Sequence, residues 1–307
     1  MKPAFSVVVF TTVAGAAQGL VVTLALALLA GLPLSGGFMS LALIVAVAML
    51  LIGLGASFGH LGRPERAWRA AMMWRTSWLS REVIVLPAFI GINVLWWLAL
   101  RSGIDTPLLP LVAILAAALL WYCTAMIYAC LRFIEEWAQP LTLVNFVLIG
   151  LSSGLMLACA LGSLAGEVRL VQLAGPCALI VTLMAWATRM LALRHNATLK
   201  HKSTLQSATG IKSANIVQKS MGMSAGSFNT REFFHGHTKS ALRHVKLAFI
   251  LLGFVLPAAL ALWGLAGGGA LAWVLAVLVQ APGLLAERWF FFAQAKHPQN
   301  LYYQVVS

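Results

Sequence analysis

Acidic side chains are scarce in this sequence: eight Asp and Glu stand among 307 residues, all of them near the edges of apolar runs. Proton pumps and ion-coupled transporters carry ionisable groups along their pathway at membrane depth, so the pattern argues against both. Histidine is missing from the same places, because His60, His195, His201, His235, His237, His244 and His297 all fall in loops or at the ends of runs. Haem b held between membrane helices needs histidines on those helices, and none is expected here. Cys123, Cys130, Cys159 and Cys177 form no Cys-x-x-Cys pair, so neither an iron–sulfur cluster nor a zinc site is expected, and the four read as core residues. P-loop, nucleophile-elbow and His-Glu-x-x-His signatures are missing as well.

What the chain does have is apolar length. Hydrophobic residues make up 61% and charged residues 9%, against roughly 25% charged in a soluble domain. A bilayer-crossing helix needs about 20 apolar residues, and eight such runs lie near 7–30, 38–58, 83–100, 108–130, 141–163, 170–193, 245–266 and 270–292. They are continuous rather than alternating, which excludes a barrel. The stretch Met1–Gly31 is too long for a signal peptide and lacks a clear small-residue cleavage site, so it reads as the first span. The expected fold is an all-α membrane protein, one integral domain over 1–307, with eight spans, a short interfacial helix and a long cytoplasmic loop between spans six and seven.

The net charge of +13 would suggest nucleic acid for a soluble protein. Here it sets orientation instead. With eight spans the two ends share a side, which collects Lys2, Arg63, Arg66, Arg69, Arg75, Arg81, Arg132, the basic group from Arg189 to Lys246, Arg288 and Lys296. Only Arg101 and Arg169 of the 21 Lys and Arg fall opposite. By the positive-inside rule the termini, the His60 loop and the 194–244 loop face the cytoplasm of a bacterial inner membrane.

Two connections stand out. Residues 59–82 hold an amphipathic segment in which Ala67, Trp68, Ala71, Met72 and Trp74 share one face and Arg63, Glu65, Arg66 and Arg69 the other, with Pro64 suited to a first helical turn. Its arginines fit anionic membrane lipid or an acidic partner subunit. The 194–244 loop is too long to be a connector, and its segment 221–236 mixes aromatics with charge as a docking surface does. Gly-x-x-x-Gly spacings at Gly15/Gly19, Gly55/Gly59, Gly150/Gly154 and Gly162/Gly166 favour close helix packing inside the bundle over a dimer face.

The remaining chemistry gathers at one end of the spans: His60, Glu82, Tyr128 and Glu287. Quinone chemistry needs such an arrangement, since the ring exchanges two electrons and two protons while its tail stays in lipid. His60 is the natural proton exchanger near neutral pH and Glu82 the second. The same residue types also allow a structural reading, in which Glu82 pairs with Arg81 or Arg63 and His60 caps helix two.

His60-Leu61-Gly62-Arg63-Pro64, Arg66-Ala67 and Ser80-Arg81-Glu82-Val83 together resemble the His-Leu-Gly-x-Pro, Arg-Ala and Ser-x-Glu-Ile pattern of the dimethyl sulfoxide reductase membrane anchor subunits, within the wider group of polysulfide and nitrite reductase membrane subunits. The likeness extends to Phe10-Thr11, the run at 24–29, Tyr128 with Trp137, and Glu287-Arg288. It implies eight spans, no haem or iron–sulfur cluster in this chain, and electron exchange between the quinone pool (ubiquinone or menaquinone) and an iron–sulfur subunit attached to a molybdopterin catalytic subunit. The family's quinol-linked histidine and glutamate fall on His60 and Glu82. Arg63 and Arg81 are then expected to orient the quinone head or hold Glu82, Tyr128 to donate a hydrogen bond, and Gln18, a polar residue at mid-span, to contribute.

Two features depart from the enteric sulfoxide reductase anchors: the long 194–244 loop, and a charge map that puts His60 inside rather than outside. A cytoplasm-facing relative is most similar to the membrane subunits of quinone-linked sulfite dehydrogenases, which implies electrons passing from sulfite to quinone. A quinol-oxidising reductase anchor is the alternative within the family. A transporter or a non-redox assembly anchor is the alternative outside it, and the transporter would show repeated halves with broken helices, which the sequence does not.

Overall fold

The computed structural model describes residues 1–59, 61, 63–200, 202–220, 233–234 and 236–302, and among these it is helical with no strand. The helices α1 (Phe5–Leu29), α2 (Gly36–Phe58), α3 (Trp78–Arg101), α4 (Leu108–Ala129), α5 (Pro140–Leu164) and α6 (Val168–Thr198) follow one another through short connections, apart from the 3-10 helix Pro64–Met73 between α2 and α3. A short α7 (Leu205–Thr209) lies in the long connection. Three further segments complete the bundle: α8 (Lys239–Ile250), α9 (Leu256–Trp263) and α10 (Gly269–Ala293), joined by the wide π-turns Leu251–Val255 and Gly264–Gly268.

Among the described residues seven helical stretches are long and apolar enough to cross a membrane, and the last runs from Lys239 to Ala293 over 55 residues. Straight, that stretch would reach roughly 80 Å at about 1.5 Å per residue, far more than a bilayer's hydrocarbon. It is folded back on itself instead. Gly267, at φ 104°, breaks the helix, and Gly253 lies against the backbone of Gly283. The Leu251–Val255 turn has a local cause as well. Pro257 lacks an N–H, which frees the Gly253 carbonyl four residues earlier. The Gln280 amide of α10 reaches that carbonyl at 3.4 Å and also donates to the Ser152 hydroxyl at 2.9 Å. Ser152 in turn bonds Thr182 at 2.7 Å, so α5, α6 and α10 are joined by polar contacts where hydrocarbon offers no alternative partner.

The hub of the bundle is α1, which packs on α2, α4, α5 and α10. Its contact with α5 is the closest. A Cβ at Gly19 would strike the Gly150 carbonyl, and one at Gly154 would strike the Gly19 backbone. Two of the four Gly-x-x-x-Gly spacings therefore interlock within one chain. Gly55 meets nothing within 4 Å, and its partner Gly59 lies near Ser6 of α1, so this spacing does not interlock two helices as the other pair does.

The start of α1 lies beside the end of α10. The Met1 amino group donates to the carbonyls of Ala293 and Ala295 at 3.2 and 3.0 Å. Trp137, between α4 and α5, donates to the Phe291 carbonyl at 3.1 Å at this same end.

Several expectations need correction. Helix α3 starts at Trp78, five residues before the apolar run, because Ser77 accepts from the Ser80 N–H at 3.3 Å and caps the helix. Arg189 does not belong with the loop charges, since α6 continues to Thr198 and buries it. Cys123 and Cys159 are core residues, but Cys130 and Cys177 are exposed; Cys177 lies on the outward face of α6, where a thiol meets lipid as readily as a core. Most of the 221–236 segment lies outside the described residues. Of its aromatics, Phe234 is buried and Phe233 stacks on His297 at 3.9 Å.

Candidate functional site

Capping by Ser77 sets Ser80-Arg81-Glu82 in the first turns of α3, and from there the two charged side chains diverge. Arg81 turns outward, to the end of the 3-10 helix. Its Nε and Nη2 donate to the carbonyls of Trp74 and Arg75, each at 2.9 Å, and its guanidinium covers the Trp78 ring at 4.0 Å. Arg81 therefore fastens the end of the 3-10 helix to α3 and does not hold Glu82. Glu82 turns inward, is 5% exposed, and accepts a hydrogen bond from the Thr124 hydroxyl of α4. Among the described residues Glu82 has no ion-pair partner.

Beside Glu82 opens a cavity of about 660 Å³. Its walls are Val7 and Phe10 of α1, Leu54, Ser57 and Phe58 of α2, Leu79, Glu82, Val83, Leu86 and Pro87 of α3, and Ile127 and Tyr128 of α4. The 3-10 helix closes it with Pro64, Glu65, Ala67, Trp68 and Ala70. The lining is apolar apart from Ser57, Glu65, Glu82 and Tyr128. Trp68, Met72 and Trp74, in and just after the 3-10 helix, are exposed, which suits a segment lying at the headgroup level.

Tyr128 is held by rings on several sides, with centroids of Trp137, Phe292, Phe291 and Phe146 at 5.4, 5.3, 5.6 and 5.8 Å. These contacts fix the tyrosine at the inner wall. His60 lies outside the described residues, and its chain neighbours Phe58 and Leu61 line the cavity.

The other sequence-derived candidates sit elsewhere. Arg63 precedes the 3-10 helix and is exposed, without a place in the cavity wall. Gln18 is buried and lines a second, smaller void of about 10 Å³ that Thr124, Trp121 and Arg288 also line. Glu287 is not at the cavity either. It is fully buried between two arginines, with Arg189 Nε at 2.6 Å and Arg288 Nε at 3.5 Å. Arg288 also lies over the Phe146 ring at 3.9 Å.

Thr124 and Arg189 escaped sequence reasoning. A threonine within an apolar helix carries no local signal, and Arg189 is separated in the chain from the glutamate it meets. Among the described residues no group of three or more His, Cys, Asp or Glu is placed to hold a metal ion.

A family model described as the DMSO reductase anchor subunit (DmsC) matches residues 1–229. The chain belongs to the DMSO reductase anchor subunit family. This anchor is also 47% identical to a sulfite dehydrogenase subunit of Allochromatium vinosum, over an alignment of 327 positions that covers the whole of both proteins. It is thus a multi-pass membrane anchor subunit, and the relative with which it shares its full length is part of an oxidoreductase complex.

Proposed function

We propose that this anchor exchanges electrons and protons with quinone in the cavity beside Glu82, as the membrane subunit of a molybdopterin iron–sulfur oxidoreductase that passes electrons from sulfite oxidation to the quinone pool. The observation that carries the reading is the cavity: about 660 Å³, apolar, and bordered by a buried carboxyl with no cationic partner among the described residues. Cavities of roughly 300–1,000 Å³ with few polar groups suit small apolar ligands, and a quinone ring is one. Glu82 exchanges a proton with a quinone oxygen, and Tyr128 bounds the ring on the α4 side. His60 gives the second proton as the quinone is reduced to quinol, while Arg63 and Arg81 act on the cavity from outside its wall. Thr124 keeps the Glu82 carboxyl in place.

The folded-back final stretch counts as two passes, giving eight, with both termini in the cytoplasm of a bacterial inner membrane. The iron–sulfur partner docks at this end, helped by the 194–244 loop, and the molybdopterin subunit lies beyond it. Sulfite is favoured by the full-length likeness to the Allochromatium sulfite dehydrogenase protein. The family's name favours a second reading, a quinol-oxidising sulfoxide reductase anchor, which uses the same cavity in reverse.

The test is Glu82→Gln in the assembled complex. Quinone-coupled turnover is expected to fall by about a hundredfold, as for loss of a proton-transfer group, with assembly unchanged. Full turnover in that variant overturns the site.

A further inference from the structure

We propose that the small void behind Thr124 is a water site whose water joins the Arg288 guanidinium to the Glu82 carboxyl through the Thr124 hydroxyl, which makes Thr124 and Arg288 positioning residues for Glu82. The inference deepens the quinone reading and rests on it for the role of Glu82.

Charge gives the first argument. Arg189 and Arg288 share one carboxylate, Glu287, inside the bundle, so this group carries a surplus positive charge in a setting where unpaired charge is costly. Among the described residues two other carboxyls are buried, Glu82 and Glu136. Glu136 lies by the Met1 amino group. Glu82 lies across Thr124 from the void that Arg288 lines, and with its carboxylate the four groups Arg189, Glu287, Arg288 and Glu82 sum to zero.

Hydrogen bonding gives the second. The void, at about 10 Å³, has room for about one water, which needs two to four polar partners to be held. Gln18 and Trp121 line it, and among the described residues the buried Gln18 Oε1 and Trp121 Nε1 have no hydrogen-bond partner. Trp121 and Arg288 can only donate, Gln18 Oε1 can only accept, and Thr124 has already given its proton to Glu82 Oε1. One water that accepts from Trp121 and Arg288 and donates to Gln18 and Thr124 completes all four requirements. The resulting chain runs in one direction, from guanidinium to water to hydroxyl to carboxyl. It occupies Oε1 and leaves Oε2 for proton exchange on the cavity side.

The test compares Thr124→Val with Thr124→Ser in two ways. In pH-difference infrared spectra of the purified full chain, the Glu82 carboxyl band is assigned by its loss in Glu82→Gln. That band is expected to move to higher frequency in Thr124→Val, to stay in place in Thr124→Ser, and to move in Gln18→Leu, which removes the water's acceptor. In membranes holding the full complex, with sulfite as donor and decylubiquinone as acceptor, Thr124→Val is expected to lower kcat about tenfold or more. KM for decylubiquinone should stay within about twofold, and Thr124→Ser should restore kcat. An unmoved band in Thr124→Val or Gln18→Leu overturns the water chain. Full quinone-dependent turnover in Glu82→Gln overturns the quinone reading instead, and the infrared bands still report on the chain.

Discussion

Arg189, Glu287 and Arg288 put three charges in contact under the surface of a membrane bundle, at 2%, 0% and 3% exposure. Removing one member of such a group leaves the others buried without compensation, which costs about 3–5 kcal/mol. Glu287→Gln is therefore expected to destabilise the anchor by about that amount, read as a lower thermal transition in detergent. His297 gives a residue-scale pH effect outside the spans. Burial, and then the nearby amino-terminal charge, push its pKa below the ordinary value of 6.5. The unfolded chain then binds the extra proton first, so the stability that depends on a neutral, partly buried His297 is present above pH 6.5 and is lost as the pH falls below it. His297→Gln should flatten that acid limb in thermal-shift measurements. Glu82 was legible because an acid beside an apolar run demands a reason. Its partner Thr124 was not, because one hydroxyl among apolar residues has no pattern, and the contact joins residues 42 apart.

At the scale of elements, the α1–α5 contact makes a clear contrast. Gly154→Leu drives a side chain into the Gly19 backbone, whereas Gly55→Leu meets nothing within 4 Å. Overpacking costs typically 1–3 kcal/mol and more against backbone, so Gly154→Leu should reduce the folded yield sharply. Gly55→Leu should leave it unchanged, with gel filtration in detergent as the measure. Hydropathy located the helices well because membrane helices need a minimum apolar length. The start of α3 and the end of α6 escaped it, since both extend through polar residues beyond the apolar core. The amphipathic segment after Pro64 was visible as a pattern, but its role as a wall of the cavity depends on how α2 and α3 splay around it, and no local pattern encodes that.

At the scale of the whole molecule, topology has the simplest measurement. In a chain whose four cysteines are replaced by serine, Asp105→Cys and Gln299→Cys should react with a membrane-impermeant maleimide from opposite sides. Asp105→Cys is expected to react in intact cells and Gln299→Cys only after the membrane is opened. Labelling of both from one side would require a different number of passes. The apolar runs were legible as helices, and the structure joins the last two of them, 245–266 and 270–292, into one 55-residue stretch.

The central place of α1 sets a timetable for biogenesis. It leaves the ribosome before the helices it will grip, and its closest groove, at Gly15 and Gly19, stays open until α5 arrives. The flank against α10 is sealed only when the last helix is made. A nascent anchor must therefore shelter its most buried helix in lipid or in the insertion machinery for most of its synthesis, and a chain stopped before α10 reaches quality control with that flank uncovered.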